Sequence, residues 1–405
     1  MTVTKKHFQN SVLIFLLICL SLLHLIFTIK TNAYFSLDDF AVLNYLQNHS
    51  ILEMILKFLT QGDIWGFKKI LGYLNFAVLF KLFGTNPIPF IINNYLLHTV
   101  NIILVFLISL RLTKDSLKSF FVSIIANSLY FSYFSNIHEY LVVFFILVSS
   151  LLYLHSRFKL SLAIFILALL TKEIAFTLPF FLLAINRQQK LKERNLQFFI
   201  VLAVYVFYQF FIGQSRFGLP IDHPYAISFS LPLIVSNLKF YLPLWLVALS
   251  LLFTSPILLV SLLSLLPSLL LLNRQETYYL YLPLIYYSIF LATRLPKFSF
   301  KTSPLYILIF FMLGGRNLLP PLARQTFPNW QKVSIQNVID RLESNISNKN
   351  IDISDIYLER DAKLMLGSNT LNLFVSSQTA SQYQFKYNSN QQTILVIPAQ
   401  AGIHK

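Results

Sequence analysis

The chain has 405 residues, of which 56% are hydrophobic and only 12% are charged, and its formal net charge is +16. A soluble domain is ordinarily about 25% charged, and a soluble fold of this length would expose too much apolar surface to water. The composition therefore excludes a soluble globular enzyme and predicts a polytopic membrane protein. The 32 Lys and Arg residues indicate either a nucleic-acid partner or a topology signal, and their placement decides between the two.

Apolar runs separated by charged or turn-forming residues predict about eleven transmembrane segments. They lie at about 8–29, 88–110, 119–135, 140–155, 160–171, 174–186, 196–213, 240–253, 257–272, 277–293 and 303–315. The first run is too long for a typical signal peptide and lacks a clear small-residue cleavage site, so a retained anchor is expected. The predicted fold is an all-α polytopic membrane domain over 1–318, followed by a small soluble α+β module over 319–405.

The positions of the charges predict the orientation of the chain. With the N-terminus in the cytoplasm and strict alternation, the inside segments become 1–7, 111–118, 156–159, 187–195, 254–256 and 294–302. These segments hold 14 basic residues against two acids, as the positive-inside rule requires. The excess of positive charge is therefore mainly a topology signal, and no nucleic-acid partner is expected.

Three sizeable pieces are predicted on the opposite, non-cytoplasmic face. The first outer loop, 30–87, contains an amphipathic stretch at Ile51–Leu59 and an apolar stretch at Ile70–Phe83 that suits the membrane interface. The loop 214–239 is polar. The tail is rich in Asn, Ser, Gln and Asp, with a predicted helix and three predicted strands near Val333–Ser347, Ile356–Leu358, Leu371–Val375 and Thr393–Ile397.

The run 160–186 is interrupted by Thr171-Lys172-Glu173. A hairpin with its tip at this tripeptide keeps both basic flanks inside, whereas one continuous helix would not. Each arm of about a dozen residues would reach roughly 18 Å into a core of about 30 Å. Charged residues at such a depth are tolerated where they line a water-filled cavity.

Most remaining acidic residues of the membrane region fall on the outer face, which predicts a polar cavity open to that side. Asp38-Asp39 follow the first membrane segment, and two adjacent carboxylates raise one pKa in a way that suits a general base. A solvated turn or a helix N-cap is the alternative for this pair. His138 and Glu139 suit a polar substrate or a metal, or else belong to an ordinary polar loop.

The other candidate residues also have a functional and a structural interpretation. Lys172 and Glu173 form either a functional pair or a structural ion pair. His98 shares a helix face with Asn101, which favours a hydrogen bond between helices. Lys68 and Lys69 contact lipid headgroups or recognise a lipid phosphate. Arg274 stands on the same face, before a run of tyrosines that is typical of a membrane interface.

Taken in order, these motifs resemble the polyprenyl-phosphate-sugar-dependent glycosyltransferases of the GT-C superfamily, which carry an acidic pair in the first outer loop. The transmembrane O-mannosyltransferases with tetratricopeptide repeats are most similar, although the repeats are absent here. The elements that carry the resemblance are Asp38-Asp39-Phe40, Phe83-Gly84 to Pro87 with Asn94 to Asn101, Ile137-His138-Glu139, Leu170-Thr171-Lys172-Glu173 with Pro179, and Arg274 to Tyr281-Leu282-Pro283. Phe67-Lys68-Lys69-Ile70 departs from the family's Tyr-Arg-Pro-Leu.

The resemblance implies inverting transfer of mannose or a similar hexose from a polyprenyl or dolichyl phosphate to an acceptor hydroxyl on a protein, glycan or lipid. Asp38 or Asp39 would be the base, and Lys172, with Arg274 or the loop lysines, would stabilise the leaving phosphate. His138 and Glu139 would line the sugar or acceptor pocket. A divalent cation is compatible with this chemistry but is not required by it.

Two other functions remain open at this point. A non-enzymatic lipid or glycan transporter would also need a deep charged cavity, but it predicts inverted repeats and charges near mid-membrane in two halves, and neither is visible. A membrane anchor for the C-terminal module is the third interpretation. No Walker loop or dinucleotide fingerprint is present in the sequence, which argues against a nucleotide-driven pump.

Overall fold

The structure is a computed structural model. It describes residues 2–32, 42–43, 45–46, 49–60, 69–84, 86–127, 137–186, 192–211, 228–241, 255–271, 277–297, 299, 301–304, 344, 350–352, 382–388 and 393–398. The helices in chain order are α1 (Thr2–Asn32), α2 (Ile51–Thr60), α3 (Ile70–Phe83), α4 (Ile88–Thr113), α5 (Ser116–Asn127), α6 (Ile137–Leu154), α7 (Phe158–Thr171), α8 (Leu178–Ile185), α9 (Lys192–Phe211), α10 (Leu231–Tyr241), α11 (Pro256–Leu263), α12 (Leu266–Leu269) and α13 (Tyr281–Arg294). Two 3₁₀ helices lie at Glu173–Thr177 and Thr277–Leu280.

The helices form a bundle with an apolar core and an apolar exterior. Helix α4 packs against α1, α5 and α6, and α13 packs against α4, α5 and α11. Side chains on the outer surface are also apolar; Phe8 is 72% exposed and Leu96 is 61% exposed. Soluble monomers rarely present so much contiguous apolar surface, so this exterior fits lipid, as the composition predicted.

Three helices in the described part of the chain are long and apolar enough to cross a membrane, at His7–Ile26, Ile88–Thr113 and Ile137–Leu154. The predicted count of about eleven spans is therefore not supported. A core of about 30 Å needs about 20 helical residues, whereas the helices are shorter in the described parts of the predicted segments 119–135, 160–171, 174–186, 257–272 and 277–293. The predicted segment 196–213 corresponds to α9, of 20 residues, and most of the segments 240–253 and 303–315 lies outside the described residues. The shorter apolar helices lie at Ile70–Phe83, Ser116–Asn127, Phe158–Thr171 and Glu173–Ile185.

Serine side chains join α6 and α7 in the absence of glycines at their interface. The Ser149 hydroxyl donates to the Ser161 carbonyl at 2.8 Å, and the Ser161 hydroxyl donates to the Ser149 carbonyl at 2.7 Å. Both residues are buried. Reciprocal hydrogen bonds between small residues let two backbones approach closely in an apolar environment.

The predicted break in the run 160–186 is confirmed at Lys172. Helix α7 ends at Thr171, and Lys172 is extended, with φ −163° and ψ 144°. Pro179 lies in the first turn of α8, where a missing N–H is tolerated, but it would interrupt a continuous helix. The predicted hairpin is not seen as a packed pair, because α7 packs against α6 while α8 packs against α9 and α11.

The outer-loop stretch at Ile51–Leu59 forms the predicted amphipathic helix, α2. Its Met54 and Phe58 are buried, while Leu52 and Leu56 are exposed. The stretch Ile70–Phe83 differs from the expectation of a purely interfacial position. As α3 it packs against α6 and α7 and buries Tyr73 and Phe76 in the bundle, so it is part of the core.

A capping box fixes the first turn of α2 and gives it a pH dependence. The Ser50 backbone N–H donates to Glu53 Oε2 at 2.8 Å, and the Glu53 N–H donates to Ser50 Oγ at 3.2 Å. These bonds to Ser50 lower the pKa of Glu53 below its ordinary value of 4.5. A lowered pKa stabilises the helix above the ordinary value, and this contribution is lost as the pH falls through the lowered pKa.

We therefore expect Glu53→Gln to reduce amide-exchange protection in the first turn of α2 at neutral pH. The difference from the wild type should persist at pH 4.5 and disappear only as the pH falls through the lowered pKa of Glu53, because the wild-type carboxyl is then protonated as well. Hydrogen exchange of the full chain in nanodiscs, corrected for the intrinsic exchange rate, measures both values. Equal protection in the two proteins at neutral pH would contradict the capping role.

Three strands form an antiparallel sheet in the C-terminal region, in the order β1 (Asn350–Asp352), β3 (Thr393–Pro398), β2 (Tyr383–Asn388). The predicted strand at Thr393–Ile397 is confirmed, with Lys386 opposite Leu395 in the register. The strands β1 and β2 were not predicted. The predicted strands at 356–358 and 371–375, most of the predicted helix and the boundary near 318 lie outside the described residues.

Candidate functional site

The structure describes six of the ten predicted site residues. Asp38, Asp39, Lys68 and Arg274 lie outside the described residues. The remaining six fall on α4, on the first turn of α6, at the break after α7 and before α3. They are His98, His138, Glu139, Lys172, Glu173 and Lys69.

A buried ion pair lies where α6 begins and α7 ends. Lys172 Nζ donates to Glu139 Oε1, and the two residues are 6% and 3% exposed. The pair joins two predicted motifs, Ile137-His138-Glu139 and Leu170-Thr171-Lys172-Glu173, and its two residues are 33 positions apart. Glu139 stands in the first turn of its helix, where the helix dipole favours a carboxylate.

The ammonium group of Lys172 also lies over an aromatic ring. Its Nζ is 5.1 Å from the centroid of the Tyr279 ring, in the 3₁₀ helix that precedes α13. This cation–π contact holds Lys172 from a second side. The tyrosine run that follows Arg274 in the sequence therefore contacts the ion pair, through Tyr279.

A fully buried hydrogen-bond network lies next to the ion pair. His98 Nε2 is 3.2 Å from the Asn127 carbonyl, which can only accept, so Nε2 carries the proton. His98 Nδ1 then accepts from the Tyr281 hydroxyl at 2.9 Å. Both ring nitrogens of His98 are thus used within the protein, as expected for a histidine that joins helices.

Asn101 and Ser21 extend this network to further helices. The Asn101 amide donates to the Tyr140 carbonyl at 2.9 Å and to the Tyr281 hydroxyl at 3.2 Å. The Ser21 hydroxyl donates to the Asn127 side chain at 2.9 Å. The network therefore joins α1, α4, α5, α6 and α13 at the level where α6 begins.

His138 lies in a different environment, on the other side of α6. Its ring is 4.8 Å from the Tyr73 ring, centroid to centroid, and it fills the space that Gly72 leaves without a side chain. Its Nδ1 is buried and has no hydrogen-bond partner within the described part of the chain. Lys69, the residue before α3, and Lys172 both act electrostatically on the ring.

The described residues thus combine a buried cation, a carboxylate, a histidine and a tyrosine network at one end of the bundle. They contain no group of three or more His, Cys, Asp or Glu side chains that could hold a metal ion. The sequence did not single out Gly72, Tyr73 or Asn127, and it included Tyr279 only as a member of the tyrosine run, because each acts through a partner that is distant in the chain. No protein-family model, no curated protein and no solved structure matches this chain.

Proposed function

We propose that the chain is a membrane glycosyltransferase of the GT-C type, which moves mannose or a similar hexose from a polyprenyl phosphate to an acceptor hydroxyl. The observation that carries this proposal is the Lys172–Glu139 ion pair, buried in an apolar bundle at a break between helices. Desolvating two charges costs several kcal/mol per ion, so charged pairs inside membranes mark functional sites by default.

Contacts between motifs that are far apart in the sequence support the proposal. The Ile137-His138-Glu139 element and the Thr171-Lys172-Glu173 element contact each other through the ion pair, and Tyr279 brings the tyrosine element to the same lysine. A structural ion pair alone would not require a histidine and a second lysine beside it. A shared pocket for a charged substrate accounts for all of these groups together.

The proposed mechanism is inverting substitution at the anomeric carbon. The carboxylate of Asp38 or Asp39 takes the proton of the acceptor hydroxyl as its oxygen forms a bond to that carbon. The bond from the carbon to the phosphate oxygen breaks, and the polyprenyl phosphate leaves with the electron pair. Lys172, with Arg274 or the loop lysines, stabilises the developing charge, while His138 and Glu139 line the sugar or acceptor pocket.

The proposal includes an orientation. The N-terminus lies in the cytoplasm, and the site and the C-terminal module face the other side, because the basic segments between helices collect on one face. A lipid phosphate is already an activated leaving group, so no nucleotide is needed on the non-cytoplasmic side.

Sugar transfer in membranes tests the proposal directly. We expect Asp38→Asn or Asp39→Asn to lower the transfer rate from a polyprenyl-phosphate sugar by about 100-fold or more, since a general base contributes about 10²–10⁴-fold. Lys81→Ala is a matched control on an exposed residue of α3 and should keep the wild-type rate. Radiolabelled product measures the rates, with equal protein amounts in each membrane sample.

The same assay separates the proposal from its alternative. Unchanged transfer in both single variants and in the double variant would overturn the assignment of the base. Absence of transfer by the wild type, together with movement of the labelled lipid across the bilayer, would favour a transporter. If sugar transfer survives deletion of 319–405, the membrane domain is not merely an anchor for the C-terminal module.

A further inference from the structure

Positive groups converge beside the ion pair. Lys69 and Lys172 stand on different elements, and the charge of each acts electrostatically on the His138 ring. Helices α3 and α6 begin at this place, at Ile70 and Ile137, and they pack against each other. The N-terminus of α3 has no side-chain cap from Lys69. Helix N-termini carry partial positive charge and unpaired N–H groups, which adds to the charge of the two lysines.

The environment of His138 determines which of its nitrogens can meet a ligand. A Cβ atom placed on Gly72 would lie 1.9 Å from His138 Nδ1, so this nitrogen faces the α3 backbone. A proton on Nδ1 would point at Gly72 without an acceptor, whereas a lone pair there meets only a weak Cα–H donor. The neutral ring therefore carries its proton on Nε2 and presents an N–H donor away from α3.

Two ammonium groups, an imidazole N–H and two helix N-termini together have the chemistry of an anion-binding site. The negative group in this cluster is the carboxylate of Glu139, a residue of the chain, and not a bound ligand. Glu139 accepts from Lys172, at the position where the charge of a ligand would be expected. A phosphate carries more negative charge than a carboxylate and has more acceptor oxygens, so it can also engage Lys69 and His138 at once.

We propose that Lys69, His138 and Lys172 form a phosphate-binding site, and that Glu139 occupies Lys172 until a phosphate group displaces it. This inference rests on the proposed function, because it assigns the phosphate of the donor to particular residues. It adds that the resting ion pair is an internal competitor of the ligand. Removing the carboxylate is therefore expected to strengthen phosphate binding rather than to weaken it.

Binding of a polyprenyl phosphate without a sugar tests the site independently of sugar transfer. We use the full chain in phosphatidylcholine nanodiscs, with inorganic phosphate as a second probe. Lys69→Ala and His138→Ala should each weaken binding about tenfold, since each removes a charge-assisted or neutral donor to the phosphate. Glu139→Gln should tighten binding about tenfold, and an unfolded variant cannot produce such a gain. Lys81→Ala, on the exposed end of α3, is the matched control and should bind like the wild type.

The outcomes separate this site from the glycosyltransferase proposal. Binding of polyprenyl phosphate far above that of inorganic phosphate identifies a lipid headgroup, and equal binding identifies a free phosphate; both support the site. Phosphate binding without sugar transfer would overturn only the proposed function. Weaker binding by Glu139→Gln, an equal loss in Lys81→Ala and Lys69→Ala, or no binding of either probe would overturn the site.

Discussion

Replacing Lys172 by Met is expected to lower the free energy of unfolding by about 3–5 kcal/mol, because it leaves the Glu139 carboxylate buried without a cation. Glu139→Gln should be destabilising for the converse reason, since it leaves the Lys172 ammonium unpaired. Both residues are almost completely buried, so water cannot replace the missing partner. The loss is measured by denaturant titration of the detergent-solubilised chain, with unfolding followed by circular dichroism.

The double variant separates the ion pair from simple packing. Lys172→Met combined with Glu139→Leu removes both charges and keeps the apolar volume, so it should be more stable than either variant that carries one buried charge. Lys159→Met is a matched control on the same helix, α7, where the lysine is exposed, and it should change stability by less than about 0.5 kcal/mol. Equal effects of Lys172→Met and Lys159→Met would contradict a buried pair.

The Lys172–Glu139 pair has a role in both the stability of the fold and the proposed sugar transfer, and the double variant separates the two roles. A charge pair that only stabilised the fold would be replaceable by apolar side chains, and the double variant would then retain sugar transfer. We expect the double variant to fold but to lose transfer, because Lys172 has been removed from the leaving group. Such a separation between folding and activity distinguishes a functional ion pair from a structural one.

Hydropathy predicted the positions of helices better than the number of membrane spans. The predicted segments at 88–110 and 140–155 correspond to α4 and α6, since each is a long apolar run between polar boundaries. The interruption at Thr171-Lys172-Glu173 also ends a helix, as predicted. The number of spans depends on the length of each helix, which hydropathy alone does not give. The extended Lys172 ends α7 after 14 residues, and α8, with Pro179 in its first turn, has only 8 residues.

The sequence identified single residues of the site but not their partners. The motifs that contain Glu139 and Lys172 were both predicted on the outer face, yet the sequence paired Lys172 with its neighbour Glu173 as the structural alternative. The structure brings Lys172 to Glu139 because the end of α7 lies beside the start of α6. Such a contact depends on how helices pack, and it has no local signal in the sequence.

The C-terminal sheet illustrates a local signal that was present but not used. Residues 383–388 alternate between aromatic and polar side chains, as Tyr-Gln-Phe-Lys-Tyr-Asn. Alternation with a period of two is typical of a strand with one buried face. The predicted strand at Thr393–Ile397 is instead a continuous apolar run, and it forms the centre of the sheet between its two neighbours.

Replacing Gly72 by Ala is expected to destabilise the bundle by about 1–3 kcal/mol, through overpacking against His138. The added Cβ would lie 1.9 Å from Nδ1 and 2.4 Å from Cε1 of the ring, far inside van der Waals contact. The ring is buried where α6 packs against α3 and lies against the Tyr73 ring in a tilted arrangement, so it cannot move away without breaking other contacts. Thermal unfolding in detergent measures the loss.

The clash requires the ring, so His138→Ala should remove most of the cost of Gly72→Ala. A double-mutant cycle should therefore give a coupling energy of about 1–3 kcal/mol between the two positions. Gly84→Ala, at the opposite end of α3, is the matched control: its φ of +58° makes any side chain unfavourable, but no atom lies within 4 Å of the new Cβ. Its cost should be additive with His138→Ala. If Gly72→Ala is also additive, the His138 ring does not occupy the space beside Gly72, and the orientation of its Nε2 toward a phosphate loses its support.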